Sequence, residues 1–389
     1  MKLYSLLFFS VLIKNVCTDD DKIISLIVSS FYGNYAAYLS FGKPPQTVYF
    51  NFDISSSFSY TCSKAFQRGH SVTEYQDLRK RIAIGKTTDI LVDQLRDTVT
   101  ISNSNITIPH FTFYYITIKT DINENAIGFA YKMEDDSFSL IDKLKRDEFI
   151  KRRVIYFQNY EQNNPKVFIG GIPKEYELPY KAKCKINEKL AQWSCLLKEI
   201  KFGNLSFELN DFATFQNLDN SISVPEQIFT TINSTILKPY YESGDCKHMD
   251  NAKPYLIMCS YSIISHFPHF EITLENNVYE LTFDELFDQI LESCFLNIYT
   301  NDKNQWVFGS SLFKKYNPMF DWDNKEITFY SETEIKSIGG LSEKNNKGIF
   351  IMLIFNICIM CPMIVLLVIF KKLKDISLKV CIYINNKRY

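Results

Sequence analysis

The sequence lacks an excess of either charge, since 43 Lys and Arg residues stand against 44 Asp and Glu residues, for a formal net charge of −1. A protein with this balance has no overall basic surface for nucleic acid and no acidic surface for polycations. Low-complexity linkers and short-period repeats are also missing, which argues against repeat architectures. With 389 residues, of which 46% are hydrophobic, the chain can bury one large core or two smaller ones.

Two common kinds of chemical site are missing as well. The chain has five histidines, none at a spacing that supports a serine hydrolase, and it has no G-x-S-x-G turn. None of the six cysteines between residues 19 and 348 belongs to a C-x-x-C pair, the usual spacing of a zinc site. We therefore expect neither a metal nor another cofactor.

What the sequence does have is aromatic residues, with 32 Phe and 24 Tyr. Together with β-branched runs such as Thr98–Ile101, they favour half-buried strands over a helical bundle. The composition predicts an all-β protein.

The two ends of the chain predict a membrane topology. Residues 1–18 contain an apolar stretch too short to span a bilayer and resemble a secretory signal peptide. Residues 349–370 form an apolar run of 22 residues, long enough to cross as a helix, after a juxtamembrane linker at 336–348. The tail at 371–389 is basic, so the positive-inside rule places it in the cytosol. These features predict a single-pass type I membrane protein.

In this topology the ectodomain lies in the lumen of the secretory pathway or outside the cell, where cysteines oxidise. Three sequons, at Asn105, Asn204 and Asn233, are candidate glycosylation sites. Six cysteines allow fifteen pairings, and spacing alone chooses none of them.

The two halves of the ectodomain contain similar motifs in the same order, which predicts two lobes. In the first half, a strand runs into Asp53-Ile54-Ser55-Ser56-Ser57, and two apolar residues and a glycine follow later at Ala126–Gly128. In the second half, the corresponding regions are 215–223 and Val307–Gly309. Glycine after two apolar residues lets one backbone pass close to another. We expect one polar turn from each lobe to meet at a shared cleft.

A series of motifs, in order along the ectodomain, resembles the pepsin-like aspartic proteases and especially the plasmepsin-type enzymes of apicomplexan parasites. They are Tyr38–Gln46 with its GxPPQ-like turn, Phe50–Asp53, Ala126–Tyr131, Val167–Ile172, Gln192–Trp193, Cys294–Ile298 and Trp306–Asp321. The resemblance implies a bilobal pepsin-like fold, with lobes at residues 19–182 and 183–335, and a polypeptide substrate or ligand. It also implies a disulfide between Cys259 and Cys294.

The resemblance places the first catalytic aspartate at Asp53. An aspartic protease needs two carboxylates that share a proton, each normally in a D-T/S-G-S/T turn. Here Ile54 stands where a hydroxyl belongs and Ser55 where glycine belongs. The turn is therefore altered, although its carboxylate is retained. By the same resemblance the substrate-binding candidates are Ser55, Ile84, Gly85 and Ser221.

The second catalytic position has two possible alignments. Counting back from Pro225 without a gap places Gln216 there, and glutamine cannot ionise. A gapped alignment places Asp219 there instead, in a sequence that mirrors the Asp-x-Ser-x-Ser of the first lobe. We prefer Gln216, because the gapped alignment deletes three residues before Pro225. It also requires an unfavourable sequence at the end of the preceding strand.

The flap hairpin of the family carries a tyrosine and should lie near Ile82–Asp89. This segment of the sequence contains no tyrosine. Both aspartate turns and the flap are thus altered, whereas the motifs that the fold needs are intact. The leading hypothesis is a membrane-anchored, catalytically impaired homologue that binds an extended polypeptide. The alternatives are an active endopeptidase using Asp53 with Asp219, and a rigid glycosylated spacer.

Overall fold

The computed structural model describes residues 22–338 except 32–33, 63–64, 85–86, 102–105, 117–123, 134, 136–137, 160–164, 219–220, 250–255, 291–292 and 301–303. The predicted signal peptide, membrane helix and cytosolic tail, and most of the juxtamembrane linker, lie outside these residues. Within the described part of the chain, no helix is long and apolar enough to cross a membrane.

Strands dominate the described chain. In chain order they are Ile24–Ile27 (β1), Ser29–Phe31 (β2), Asn34–Phe41 (β3), Gln46–Asp53 (β4), Tyr60–Cys62 (β5), Tyr75–Ile84 (β6), Thr87–Ile101 (β7), Ile106–Ile116 (β8), Ala126–Gly128 (β9), Val154–Gln158 (β10), Lys166–Ile169 (β11), Tyr180–Lys185 (β12), Ser194–Phe202 (β13), Leu205–Phe215 (β14), Ile222–Val224 (β15), Cys246–His248 (β16), Ile257–Ser260 (β17), Phe270–Leu274 (β18), Asn277–Leu281 (β19), Phe287–Ile290 (β20), Ser293–Leu296 (β21), Ile298–Thr300 (β22), Val307–Phe308 (β23), Asn317–Asp321 (β24), Glu326–Ser331 (β25) and Lys336–Ser337 (β26).

The helices are short and connect strands. The α-helices are Leu140–Arg146 (α1), Glu226–Ile232 (α2), Lys238–Glu242 (α3), Phe283–Leu286 (α4) and Ser310–Lys315 (α5). A π-helical segment at Asn233–Leu237 joins α2 to α3, and 3₁₀ turns lie at Lys174–Tyr176 and Tyr261–His266. The prediction of an all-β protein is confirmed.

Alternation of apolar and polar residues explains why these segments pair as strands. In β4, Val48, Phe50 and Phe52 are buried, whereas Thr47 and Tyr49 face outward. Because successive strand residues point to opposite faces, one face of β4 packs into the core. The alternation ends at Asp53, where the strand delivers a polar residue to its buried end.

Three large sheets and one smaller sheet build two lobes. The first lobe is an eight-stranded sheet with strand order β2-β3-β4-β9-β5-β8-β7-β6. The second lobe has an eight-stranded sheet, β22-β15-β23-β14-β13-β18-β19-β26, and a four-stranded sheet, β16-β17-β21-β20. A six-stranded sheet, β1-β11-β10-β24-β25-β12, draws strands from both ends of the chain and joins the lobes. The bilobal prediction is therefore confirmed. The predicted boundary between residues 182 and 183 falls within β12, one strand of the joining sheet.

Trp193 fills the space where the lobes meet. Its side chain is fully buried, and its indole Nε1 donates to the carbonyl oxygen of Phe129 at 2.9 Å. The ring also packs against Phe320 and Trp322. The side chain of Trp193, which directly precedes β13 of the second lobe, thus contacts both the first lobe and the joining sheet.

The hairpin formed by β6 and β7 occupies the region where the flap was predicted. Ile84 pairs with Thr87 at its tip, whereas Tyr75 pairs with Arg96 at its base and stacks on that guanidinium. Tyr75 is therefore a hairpin-base residue. Of the predicted binding residues here, Gly85 lies outside the described residues and only the backbone of Ile84 is described.

The disulfides differ from the predicted pairing of Cys259 with Cys294. The structure joins Cys246 to Cys259 and Cys184 to Cys195, and it leaves Cys294 as a buried thiol. The physical reason is that Cys259 lies on a strand between two others and directly faces both Cys246 and Cys294. Either neighbour is a possible partner, and the separation along the chain does not distinguish them.

Candidate functional site

Asp53 lies at the end of β4, where that strand pairs in parallel with β9 and Asp53 faces Gly128. A side chain at position 128 would clash, since a Cβ there would lie 2.6 Å from the carbonyl oxygens of Ser56 and Phe58. The glycine therefore lets the polar turn fold back over the strand pair, as the sequence predicts.

Three donors hold the carboxylate of Asp53. Its Oδ1 accepts from the Ser55 amide at 2.8 Å, the Ser55 hydroxyl at 2.6 Å and the Ser56 amide at 3.1 Å. Ser55, which stands where the family has glycine, thus adds a hydroxyl donor to the site. This arrangement fixes one carboxylate oxygen and orients the other.

Burial raises the pKa of Asp53, because the charged carboxylate has lost solvation. The hydrogen bonds from Ser55 and Ser56 oppose this shift, and the negative charge of Glu124 adds to it. The protonated form of Asp53 therefore persists to a higher pH than that of an ordinary aspartate.

The hydrogen bonds between strands show which residue of the second lobe corresponds to Asp53. In the first lobe, the Asn51 amide donates to the carbonyl oxygen of Asn125 at 2.9 Å, and Asp53 follows two residues later. In the second lobe, the Thr214 amide donates to the carbonyl oxygen of Trp306 at 3.0 Å, and Gln216 follows two residues later. β14 pairs in parallel with β23 just as β4 pairs with β9.

Asn217, the next residue, connects the two turns. Its side-chain Oδ1 accepts from the Ile54 amide at 3.0 Å, and its Nδ2 donates to the carbonyl oxygen of Phe52. Both partners flank Asp53, and Asn217 is fully buried. Asn217 thus joins the second-lobe turn to the first-lobe turn on both sides of Asp53, and Gln216 is the residue that precedes Asn217.

Ile54 cannot return this contact, since its side chain is apolar and fully buried in the core. The connection therefore depends on the one amide of Asn217, which both donates and accepts. Sequence reasoning missed this role. The available signal was that Asn217 directly follows the residue aligned with the second catalytic position.

Two further site residues, Ser221 and Asp219, were predicted in the second lobe. Ser221 is buried, and its hydroxyl donates to the hydroxyl of Tyr299, while its carbonyl oxygen accepts from the Gly309 amide at 2.8 Å. It braces the second-lobe turn from behind. Asp219 lies outside the described residues.

A cavity of about 450 Å³ opens beside Ser55, between the lobes. Residues of both lobes and of the segment between them line it, and most carry polar side chains. They include Ser55, Ser57, Leu190, Gln192, Phe212 and Thr214. The cavity is large enough to hold an amino-acid side chain.

Among the described residues, no group of three or more His, Cys, Asp or Glu side chains is placed to hold a metal. Of the sequons, Asn204 is exposed in the turn between β13 and β14, and half-buried Asn233 accepts from the Tyr241 hydroxyl at 2.9 Å. Asn105 lies outside the described residues.

Replacing Asn217 with alanine should destabilise the protein by about 2–5 kcal/mol, because the buried amide of Ile54 and carbonyl of Phe52 would each lose their partner. Urea unfolding measures the change. Asn217→Thr is the matched variant, since a hydroxyl can also donate and accept, and it should lose less. Equal losses in the two variants would show that the cross-lobe hydrogen bonds contribute little.

Asp53→Asn should stabilise the protein at neutral pH. Folding raises the pKa of Asp53, so the folded state holds this proton more tightly than the unfolded state. The resulting stabilisation is present below the unfolded pKa and is lost as pH rises through the folded pKa. Asparagine keeps the Oδ1 acceptor without the charge. The melting temperature of Asp53→Asn should exceed that of the wild type at pH 7, and the gap should shrink towards pH 4. A difference in melting temperature that does not change with pH would contradict a raised pKa at Asp53. Asp211→Asn is the control, because Asp211 is exposed.

A family model described as eukaryotic aspartyl protease matches residues 34–331. Plasmepsin I of Plasmodium falciparum, in the sequences of two isolates, is 26% identical over 255 residues, which are 59% of this chain and 52% of the relative. The chain thus spans about half the length of these curated relatives.

Among solved structures, the crystal structure of the aspartic proteinase from Irpex lacteus superposes with a TM-score of 0.64. The match covers 79% of this chain and 97% of that one at 13% identity, so it shows the fold alone. The family match covers more than half of the chain, and the two lobes and their paired turns agree with it. The chain therefore belongs to the eukaryotic aspartyl protease family, with a pepsin-like fold.

Proposed function

We propose that this protein is a pepsin-like protease homologue that holds an extended polypeptide in its cleft and is impaired in hydrolysing it. The observation that carries the proposal is the contact of Asn217 with both residues that flank Asp53. That contact supports a position for Gln216, an amide, close to Asp53 at the floor of the cleft.

Peptide hydrolysis in this family requires a pair of carboxyl groups, of which one is ionised and takes a proton from water while the other is protonated and donates. Gln216 can donate and accept hydrogen bonds, but it cannot ionise. Asp53 alone is either base or acid at a given moment. The pair can therefore bind a peptide group, but it lacks the second titrating group that hydrolysis needs.

The same groups suit binding. The Oδ2 of Asp53 and the amide of Gln216 offer hydrogen-bonding groups to a peptide backbone, and the cavity beside Ser55 offers space for a side chain. Extended peptides bind through such repeated backbone hydrogen bonds, with pockets for alternate side chains. A polypeptide is thus the ligand that the cleft fits best.

The competing function is an active endopeptidase that uses Asp53 with Asp219, and family membership favours it. Asp219 would have to reach the floor of the cleft from three residues beyond Gln216. The intervening Asn217 is itself held against Phe52 and Ile54. The restraint on Asn217 therefore supports the proposal of a homologue that is impaired in hydrolysis.

A cleavage assay with a peptide library at pH 4–7 tests the proposal. The wild type should show no cleavage above background, and Gln216→Asp should raise cleavage by at least about 100-fold, the contribution typical of a positioned general acid or base. The double variant Asp53→Ala with Gln216→Asp is the control and should be inactive. Cleavage by the wild type that Asp219→Ala abolishes would overturn the proposal and establish the endopeptidase.

Binding forms the second part of that experiment. The wild type should retain peptides from the same library, and Thr214→Trp should release them by filling the cavity beside Ser55. Thr47→Trp is the matched control, because Thr47 is exposed on the outer face of β4. If the well-folded wild type retains no peptide, the binding proposal is wrong and the protein is better described as a rigid spacer.

We also propose that the protein is anchored as a single-pass type I membrane protein with its ectodomain in the secretory pathway. The apolar run at 349–370 supports this topology. Two disulfides in the described part of the chain also suit an oxidising compartment.

Glycosylation tests this location, because Asn204 is an exposed sequon. Glycosidase treatment of the expressed full-length chain should increase its mobility, and Asn204→Gln should reduce that shift. Asn210→Gln is the control, since Asn210 is exposed on the neighbouring strand but lies in no sequon. A chain with no glycosidase-sensitive shift, whose ectodomain is digested by protease in sealed microsomes, would contradict this topology.

A further inference from the structure

Three cysteines of the second lobe lie side by side on neighbouring strands, and we call them the cysteine cluster: Cys246 on β16, Cys259 on β17 and Cys294 on β21. Cys259 directly faces Cys246 on one side and Cys294 on the other. Directly paired residues of antiparallel strands point to the same face of a sheet. The three sulfur-bearing side chains therefore share one face, with Cys259 in the middle.

Both neighbours of Cys259 are within reach of a disulfide. In an antiparallel pair, directly opposite Cα atoms lie about 4.5 or 5.5 Å apart, and disulfides span about 4.4–6.8 Å. The structure holds the bond between Cys246 and Cys259, and Cys294 is a buried thiol. A thiol is thus placed next to a disulfide of the same sheet.

We propose that the cysteine cluster is a disulfide-exchange site, in which the bond to Cys259 moves between Cys246 and Cys294. The thiolate of Cys294 attacks Sγ of Cys259, a new Cys259–Cys294 bond forms, and the Cys246–Cys259 bond breaks. The electron pair leaves on Cys246, which takes up the proton that Cys294 released. One disulfide and one thiol exist before and after, so the step needs no external oxidant or reductant.

The exchange changes which strand is covalently tethered. β16 is the edge of the four-stranded sheet, whereas β21 lies inside it. β21 leads through Asn297, whose carbonyl oxygen accepts from the Ile222 amide at 2.6 Å, into β22. There Tyr299 contacts Ser221 behind the second-lobe turn. Exchange releases an edge strand and tethers β21, the strand that leads into β22 behind the second-lobe turn.

Burial sets the rate of this step. Loss of solvation raises the pKa of the Cys294 thiol, so only a small fraction is the reactive thiolate at neutral pH. Exchange is therefore expected to be slow, in the range of minutes to hours that uncatalysed disulfide rearrangement takes.

Disulfide mapping of the full-length protein tests the exchange. The native protein is incubated at pH 8, quenched with acid, digested under acidic conditions and analysed by mass spectrometry. Peptides joined through Cys259–Cys294 should accumulate over minutes to hours while those joined through Cys246–Cys259 decline. A wild type that keeps only the Cys246–Cys259 bond at every time would overturn the proposal.

Single variants complete the test. Cys246→Ser should contain a Cys259–Cys294 disulfide, and finding both as thiols in the folded variant would refute the proposal. Cys294→Ser retains the observed bond, so it should fold, and its Cys246–Cys259 bond should stay unchanged with time. Cys62→Ser is the matched control, because Cys62 is a buried first-lobe cysteine that takes part in neither disulfide, and it should exchange like the wild type.

Discussion

The contact of Asn217 with the first lobe is the interaction on which the arrangement of the cleft depends. One buried amide satisfies the Ile54 amide and the Phe52 carbonyl, the two backbone groups on either side of Asp53. Leaving such groups buried without partners is costly, so the two turns are held at a fixed separation. The relative position of the two turns at the cleft floor depends on this restraint.

The raised pKa of Asp53 also follows from the contact between the two turns. The second-lobe turn and the core around Phe52 exclude water, which raises the pKa of the carboxyl, while Ser55 and Ser56 supply hydrogen bonds that favour its ionised form. A second carboxylate at the position of Gln216 would add a like charge and oppose ionisation further. Under the proposed function, the amide of Gln216 avoids that cost because it carries no charge.

The sequence predicted the features that depend on local chemistry. Aromatic and β-branched residues predicted strands, one of which was expected to run into Asp53, and the glycine motif predicted the close approach at Gly128. It could not predict contacts that depend on which distant segments meet. Asn217 looked like an ordinary turn residue until its position opposite Phe52 was known. The partner of Cys259 depended on the order of three strands, which the spacing of cysteines does not encode.

The altered residues of the two turns form a consistent physical pattern. Ile54 replaces a hydroxyl with a side chain that packs into the core, and Ser55 replaces a glycine with one that adds a hydrogen bond to Asp53. Each residue adds packing or a hydrogen bond to the turn. Under the proposed function, a cleft that only holds its ligand gains from such rigidity, because its binding groups are ordered before the peptide arrives.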